Sequence, residues 1–228
     1  MTNKMINNGD DPFNISYIGV RDDILNLIPS DVKKVLDVGC SIGKLGEQIK
    51  SRYSAEVVGI ELDKKMGEVA LVKLDKVIIG DIELLELDSI LEVKYFDCII
   101  LADILEHLKN PWIVLKKIIK YLSDEGIIIL SIPNVRHYST IIELLVKSNW
   151  PYRDRGIHDK SHLRFFTLKN IRELLNYANL TATHIERNYR IIEKPFYAVN
   201  RFSKYLTLFI FKDLLTFQYL IIAKKVEK

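Results

Sequence analysis

The chain has 228 residues, 48% hydrophobic and 28% charged, which is enough apolar side chain for a buried core and excludes a disordered or collagen-like protein. Lys and Arg number 33 against 30 Asp and Glu, a balance of +3 that is too mild to imply a nucleic-acid partner without clustering on one face. The two cysteines, Cys40 and Cys98, exclude a disulfide-stapled scaffold, and no C-x-x-C pair suggests zinc.

Residues 1–12 are polar and lack the apolar centre of a signal peptide, so 1–31 reads as a helical lead-in. Val35–Val38, Val57–Ile60, Val77–Ile79, Phe96–Leu101 and Ile127–Ile132 are short and rich in Val and Ile, with little alternation. Strands buried on both faces of a parallel sheet read this way. Helical stripes lie between them. Ile42, Leu45, Gly46 and Ile49 form one; Val114, Leu115, Ile118, Ile119 and Leu122 form another, opened by a capping Asn110 and Pro111. Asp124-Glu125-Gly126 closes that unit ahead of the next strand. Further on, Ser139–Lys147 reads as a helix, followed by a polar stretch. Thr167 caps a helix reaching Asn179, and Thr183–Arg187 and Phe217–Ala223 read as final strands. Strand–helix alternation predicts an α/β fold, a Rossmann-like doubly wound sheet. One domain over 1–228 is expected, with acceptor-side insertions at about 134–166 and 190–215. The apolar runs Tyr205–Phe211 and Leu214–Ala223 are split by Lys212 and Asp213. Neither reaches the ~20 residues of a spanning helix. A cytoplasmic protein is therefore the default expectation. Burial in the core is the favoured reading of the aromatic insertion, with an oligomer contact or peripheral membrane contact as alternatives.

Val35-Leu36-Asp37-Val38-Gly39-Cys40-Ser41-Ile42-Gly43-Lys44-Leu45-Gly46 reads as a strand, a glycine turn and the start of a helix. Glycines let the backbone approach a ligand, and the helix start offers unpaired N–H groups. The glycines fall at 39, 43 and 46, and position 41 is Ser, so this is not the G-x-G-x-x-G of dinucleotide binders. Asp37 sits at the strand end, facing the crevice. A carboxylate there repels a pyrophosphate and attracts a ligand carrying an ammonium group and no phosphate. S-adenosylmethionine (SAM) fits that description. Glu61 ends the second strand 24 positions after Asp37, where an acid reaches both hydroxyls of an adenosine ribose. Asp81 ends the third, where an acid can accept from the adenine amine.

Asp37-Val38-Gly39-Cys40-Ser41-Ile42-Gly43, Glu61, Asp81 and the run Phe96-Asp97-Cys98 to Asp103, Glu106, His107 and Leu108 resemble the class I SAM-dependent methyltransferases. The nearest likeness is to the small-molecule branch that includes ubiquinone-biosynthesis O-methyltransferases, over roughly Val32 to Pro133 plus the terminal strand. Ser131 to His137 and Asp154 to Thr167 further resemble bacterial methyltransferases associated with surface-polysaccharide genes. The resemblance implies seven strands, the last one antiparallel. It implies cofactor contacts from Asp37, Gly39, Cys40, Gly43, Glu61, Leu62, Asp81, Ile82, Ala102 and Asp103, with S-adenosylhomocysteine (SAH) as product. It also places Asp103 and His107 at the reacting end.

Each candidate has a plainer reading beside it. Asp103 could cap the turn after the fourth strand, and His107 could pack beneath the loop. Gly46 could serve helix–sheet packing alone. Cys40 reads as a small turn residue rather than a nucleophile, and Cys98 as core. His158 and His162 stand four apart, but Gly156 argues for a loop and no third ligand is evident, so no metal is expected. Arg153 to Phe166 is expected to wall the acceptor pocket, with His137, Tyr138, His158, His162 and Arg164 as substrate contacts; a solvated loop is the alternative. Leu101-Ala102-Asp103-Ile104-Leu105 is not the Pro-Pro-Tyr/Phe motif of amino-directed nucleic-acid methylases, and no Pro-Cys nucleophile occurs. The expected acceptor is therefore a small-molecule or glycan hydroxyl. A SAM-binding regulatory module without turnover is the alternative from another class. A nicotinamide-dependent dehydrogenase is opposed by the glycine spacing and by Asp37.

Overall fold

The computed structural model describes residues 21–190 and 212–226. The expectations for 1–20 and for most of the 190–215 insertion, including Tyr205–Phe211, lie outside them.

Seven strands form one sheet: β1 (Lys34–Val38), β2 (Glu56–Glu61), β3 (Lys76–Ile79), β4 (Phe96–Ala102), β5 (Leu122–Pro133), β6 (Leu180–Tyr189) and β7 (Thr216–Lys225). Their order is β3-β2-β1-β4-β5-β7-β6. The first five strands pair in parallel, and β7 enters antiparallel between β5 and β6. The α/β doubly wound fold and the antiparallel last strand are as expected. Successive residues of a strand serve opposite faces. Leu36, Val58, Ile99 and Ile128 join one core; Val35, Val57, Cys98 and Ile129 join the other. Both faces of β1, β2, β4 and the inner part of β5 are covered, so these strands have no polar side and the sequence shows no alternation there. Register sets Asp37 beside Gly59 of β2 and Ile100 of β4, and Glu61 beside Ile79 of β3. The carboxyl ends of β1 to β4 therefore open on one crevice, at the point where strand order reverses.

The helices are α1 (Asp22–Leu25), α2 (Lys44–Tyr53), α3 (Lys64–Ala70), α4 (Pro111–Ile118), α5 (Tyr138–Ile141), α6 (Leu168–Tyr177) and α7 (Lys212–Leu215). The Asn110 side chain accepts from the Ile113 N–H and Pro111 opens α4, as the sequence suggested. Thr167 and Asn170 form a reciprocal cap on α6. Asp63 caps α3 by accepting from the Met66 N–H at 2.9 Å.

Four expectations shift. Ile42 lies in the turn rather than in α2, because Gly43 at φ +75° holds the entry to the helix. Leu122 opens β5 instead of closing α4. Asp124-Glu125-Gly126 falls inside a bulge, where Phe96 faces Leu122 but Cys98 already faces Ile127. The expected helix Ser139–Lys147 is one turn of α5 followed by a π-helical turn at Ile142–Val146.

Between that turn and α6, residues 150–166 cross back over the crevice. A short bridge joins Arg153 to Asp159. The backbone N–H groups of Leu163 and Arg164 both donate to the Glu106 carbonyl, at 2.8 and 3.0 Å. This segment is thereby fixed to the 3-10 turn Leu105–His107 that follows β4.

Candidate active site

A cleft of about 1160 Å³ opens at the carboxyl ends of β1 to β4. Asp37, Gly39, Cys40, Glu61, Leu62, Asp81, Ile82, Ala102, Asp103 and His107 all line it. Gly39, at φ +77°, turns the chain tightly enough that a Cβ would meet Ile104 at 2.9 Å. The Gly39 and Cys40 N–H groups are tied to the Ile60 carbonyl, so β1 and β2 grip the turn from behind. Gly43 shapes this turn from outside the lining. Gly46 packs: a Cβ there would lie 2.4 Å from Leu74 and 2.9 Å from Val57.

Asp37 is buried, and its carboxyl is pushed up to about 7 by burial and then by Glu61, with Arg21 opposing. Glu61 is fixed by two backbone donors. The Ser41 N–H donates to its Oε2 at 2.7 Å and the Asp63 N–H to its Oε1 at 2.8 Å. A carboxylate has about four acceptor positions, so both oxygens keep a lone pair for a further donor. Asp81 accepts from the Glu83 N–H through Oδ1 at 2.8 Å, which holds the loop after β3. The Cys40 side chain joins the core against Gly59, and burial, Asp37 and Glu61 push its thiol up. It has no nucleophilic character there.

Asp103 stands at φ +56°, just beyond β4. Its carboxylate accepts from Arg21 Nη1, from Ser131 Oγ at 2.8 Å and from Gln218 Nε2. Arg21 Nη2 also donates to Ser131 Oγ at 2.9 Å. Arg21 and Gln218 line the cleft too. These partners come from the residue ahead of α1, from β5 and from β7, and no local pattern in the sequence marks any of them. An Arg preceding a short lead-in helix is the nearest thing to a clue.

The expected substrate residues are placed differently. His137 is fully buried; its Nε2 donates to the Arg190 carbonyl at 2.8 Å, and its Nδ1 accepts from the Ser139 N–H at 3.3 Å, capping α5. Tyr138 packs at a tilt against that ring, with centroids 4.6 Å apart. His158 is buried against Trp150, with Nε2 3.1 Å from Thr140 Oγ1. Burial, and then Arg153, lower it to about 4. Arg164 donates to the Leu163 and Lys109 carbonyls. None of these four, nor His162, lines the cleft. The crossing segment meets it through Ser161 and Leu163 instead.

His162 packs edge-on to His107, with ring centroids 4.8 Å apart, and its Nδ1 donates to the Ile157 carbonyl at 3.2 Å. Burial, then His107, lower its pKa. Glu106 is buried, and its Oε2 has no hydrogen-bond partner among the described residues. Burial, and then Asp103, push it well up, toward the neutral acid. Glu106, His107 and His162 bring one ligand-type atom each within 4.8 Å, so they are the one cluster among the described residues with the composition for a metal.

Residues 18–185, more than half of the chain, match a family described as a methyltransferase domain. The chain belongs to the methyltransferase domain family. This methyltransferase is 25% identical to a ubiquinone biosynthesis O-methyltransferase of Neisseria meningitidis, over 65% of the chain and 62% of that protein. It thus spans less than two thirds of that relative's length. It is 28% identical to the protein of the same description from Psychrobacter cryohalolentis, over 72% of each. A SAM-dependent methyltransferase from Archaeoglobus fulgidus shares its fold, with a TM-score of 0.66, 21% identity and coverage of 92% and 96%. Family and fold imply SAM as methyl donor and SAH as product. The methyltransferase cleft fits such a group. Glu61 is fixed with lone pairs to spare, and the glycine turn brings backbone to the cleft. Acids rather than phosphate-binding donors stand at the ends of β1 to β3.

Proposed function

We propose that this methyltransferase acts on a hydroxyl group of a small-molecule acceptor. The observation that carries the reading is His107, an imidazole lining the same cleft as Asp37, Glu61 and Asp103. Bound SAM supplies a methyl group made electrophilic by its sulfonium. Asp37 faces the positive charge of that ligand, Glu61 takes the ribose hydroxyls, and Asp81 takes the adenine amine. Leu62 and Ile82 contribute apolar surface, and the Arg21 guanidinium, held by Asp23, Asp103 and Ser131, keeps Asp103 in place. Holding two reactants in line supplies several kcal/mol of acceleration, ~7–11 in the best cases. His107 accepts the hydroxyl proton, a contribution of roughly 10²–10⁴-fold. The match to O-methyltransferases supports an oxygen acceptor. A sugar hydroxyl, as in surface-glycan assembly, is the finer reading carried by the likeness of 131–137 and 154–167.

The test is methyl transfer from radiolabelled SAM to a panel of catechols, phenols, hydroxylated quinones and sugars, with amines alongside. Transfer to a hydroxyl, reduced about 100-fold or more in His107→Ala at unchanged SAH affinity, is expected. Transfer to amines alone would overturn the oxygen reading. SAM binding with no turnover on any class would favour the regulatory module.

A further inference from the structure

Ser161 sits between two groups that differ in what they can do. Its Oγ lies 3.2 Å from His107 Nδ1 and 2.5 Å from Asp159 Oδ1. Asp159 is buried, and the same Oδ1 also accepts from the Ser161 backbone N–H at 2.9 Å. An ionised carboxylate only accepts, and a serine hydroxyl has a single proton to give. That proton goes to Asp159. The Ser161 oxygen can then meet His107 only as an acceptor, so the imidazole must supply an N–H at Nδ1. A neutral imidazole carries one proton. Nε2 is consequently left with its lone pair, on a ring that lines the cleft.

We infer that Asp159 and Ser161 are positioning residues that fix His107 in the Nδ1–H tautomer and so make Nε2 the basic nitrogen of the site. The crossing segment 150–166 thereby supplies a working part of the centre in addition to a wall. The geometry explains its attachment: Leu163 and Arg164 donate to the Glu106 carbonyl, one residue before His107, which locks the segment in register with the ring it orients. His162 packs edge-on to the same ring, with its own Nδ1 spent on the Ile157 carbonyl. Removing Asp159's carboxylate frees the serine proton for His107 Nδ1, and the imidazole proton then moves to Nε2. Removing the Ser161 hydroxyl leaves Nδ1 without this acceptor. Only the use of the basic nitrogen rests on the oxygen-acceptor reading above; the tautomer does not.

Two measurements separate them. Long-range ¹H–¹⁵N NMR of the imidazoles, on the full chain with SAH, reads the tautomer directly, with His107→Gln giving the assignment. Wild type and Ser161→Thr are expected to show His107 protonated at Nδ1. Asp159→Ala and Ser161→Ala are expected to shift it to Nε2. A wild-type ring protonated at Nε2, or one whose nitrogens are taken by a metal, overturns the inference, as does a tautomer unmoved in both alanine variants. Turnover of a catechol acceptor is the second readout. Ser161→Ala should lower kcat about 10- to 100-fold, with KM for SAM within twofold, and Ser161→Thr should restore it. If the tautomer responds as stated and no hydroxyl is methylated, the oxygen reading fails and the positioning role stands.

Discussion

Asp37 carries a conflict between stability and binding. Its carboxyl is buried and pushed up to about 7 from an ordinary value of 3.8. A group with a raised folded pKa stabilises fully below its unfolded value, and that contribution is lost as pH rises through the folded one. Stability attributable to Asp37 is therefore present below about pH 4 and gone above about pH 7. Asp37→Asn should stabilise the ligand-free protein by about 4 kcal/mol at pH 8 and by well under about 1 kcal/mol at pH 4. Ligand binding runs the other way, since a cationic ligand pairs only with the ionised form. Wild-type SAM affinity should fall as pH drops below about 7, at most about tenfold per unit, and Asp37→Asn should be weaker and flat across that range. Calorimetric titration at several pH values, with denaturant unfolding alongside, checks both halves; a wild-type affinity independent of pH from 5 to 8 rejects the assignment. The three acids were legible because each ends an apolar strand at a turn, a local pattern. Arg21, Gln218 and Ser161 were not. They meet Asp103 or His107 across 82, 115 and 54 residues of sequence, and only the folded register brings them there. The histidines that follow β5 were conspicuous in sequence, yet His137 and His158 are spent on capping and packing.

At the scale of elements, the segment 150–166 depends on a buried neutral histidine. His158 receives the Arg153 side of the bridge: the Arg153 N–H donates to its carbonyl at 2.9 Å, and the ring packs on Trp150. Its pKa is lowered from 6.5 to about 4 by burial first and Arg153 second. A depressed folded pKa gives stability that is present above the unfolded value and lost as pH falls through the folded one. Acidification from about 6.5 to about 4 should therefore cost wild type ~2–3 kcal/mol that His158→Gln, which cannot charge, does not lose. Unfolding curves of both proteins at pH 7, 5.5 and 4.5 test this; parallel losses would mean that His158 is solvated. The parallel core was legible from runs of Val and Ile, as was α4 from Asn110 and Pro111. The bulge in β5 and the π-helical turn after α5 were not. Ser123 to Gly126 looks like any polar turn, and only pairing with β4 reveals that the strand has already begun.

Two segments far apart in the chain meet at the site: Arg21, just ahead of α1, and Gln218, on β7, both donate to Asp103. β7 is hydrogen-bonded along its length to β5 and β6, and β1 to β5 are continuous with them. A ligand held by Asp37, Glu61 and Asp103 therefore contacts strands that cannot separate without opening the sheet, and its binding energy should appear as global stability. At a SAH concentration about 100 times Kd, mass action stabilises the native state by ~2.7 kcal/mol. For a domain of this size each kcal/mol raises Tm by roughly 2–4 °C, so a rise of about 5–10 °C in one cooperative transition is expected. Glu61→Ala should need a correspondingly higher SAH concentration for the same rise. It loses a charged acceptor and also leaves the Ser41 and Asp63 N–H groups without theirs, a cost of ~1–3 kcal/mol. Scanning calorimetry of both proteins over the same series of SAH concentrations makes the comparison, and wild type melting at the same temperature with and without saturating SAH would show that the ligand is not bound across the strand ends.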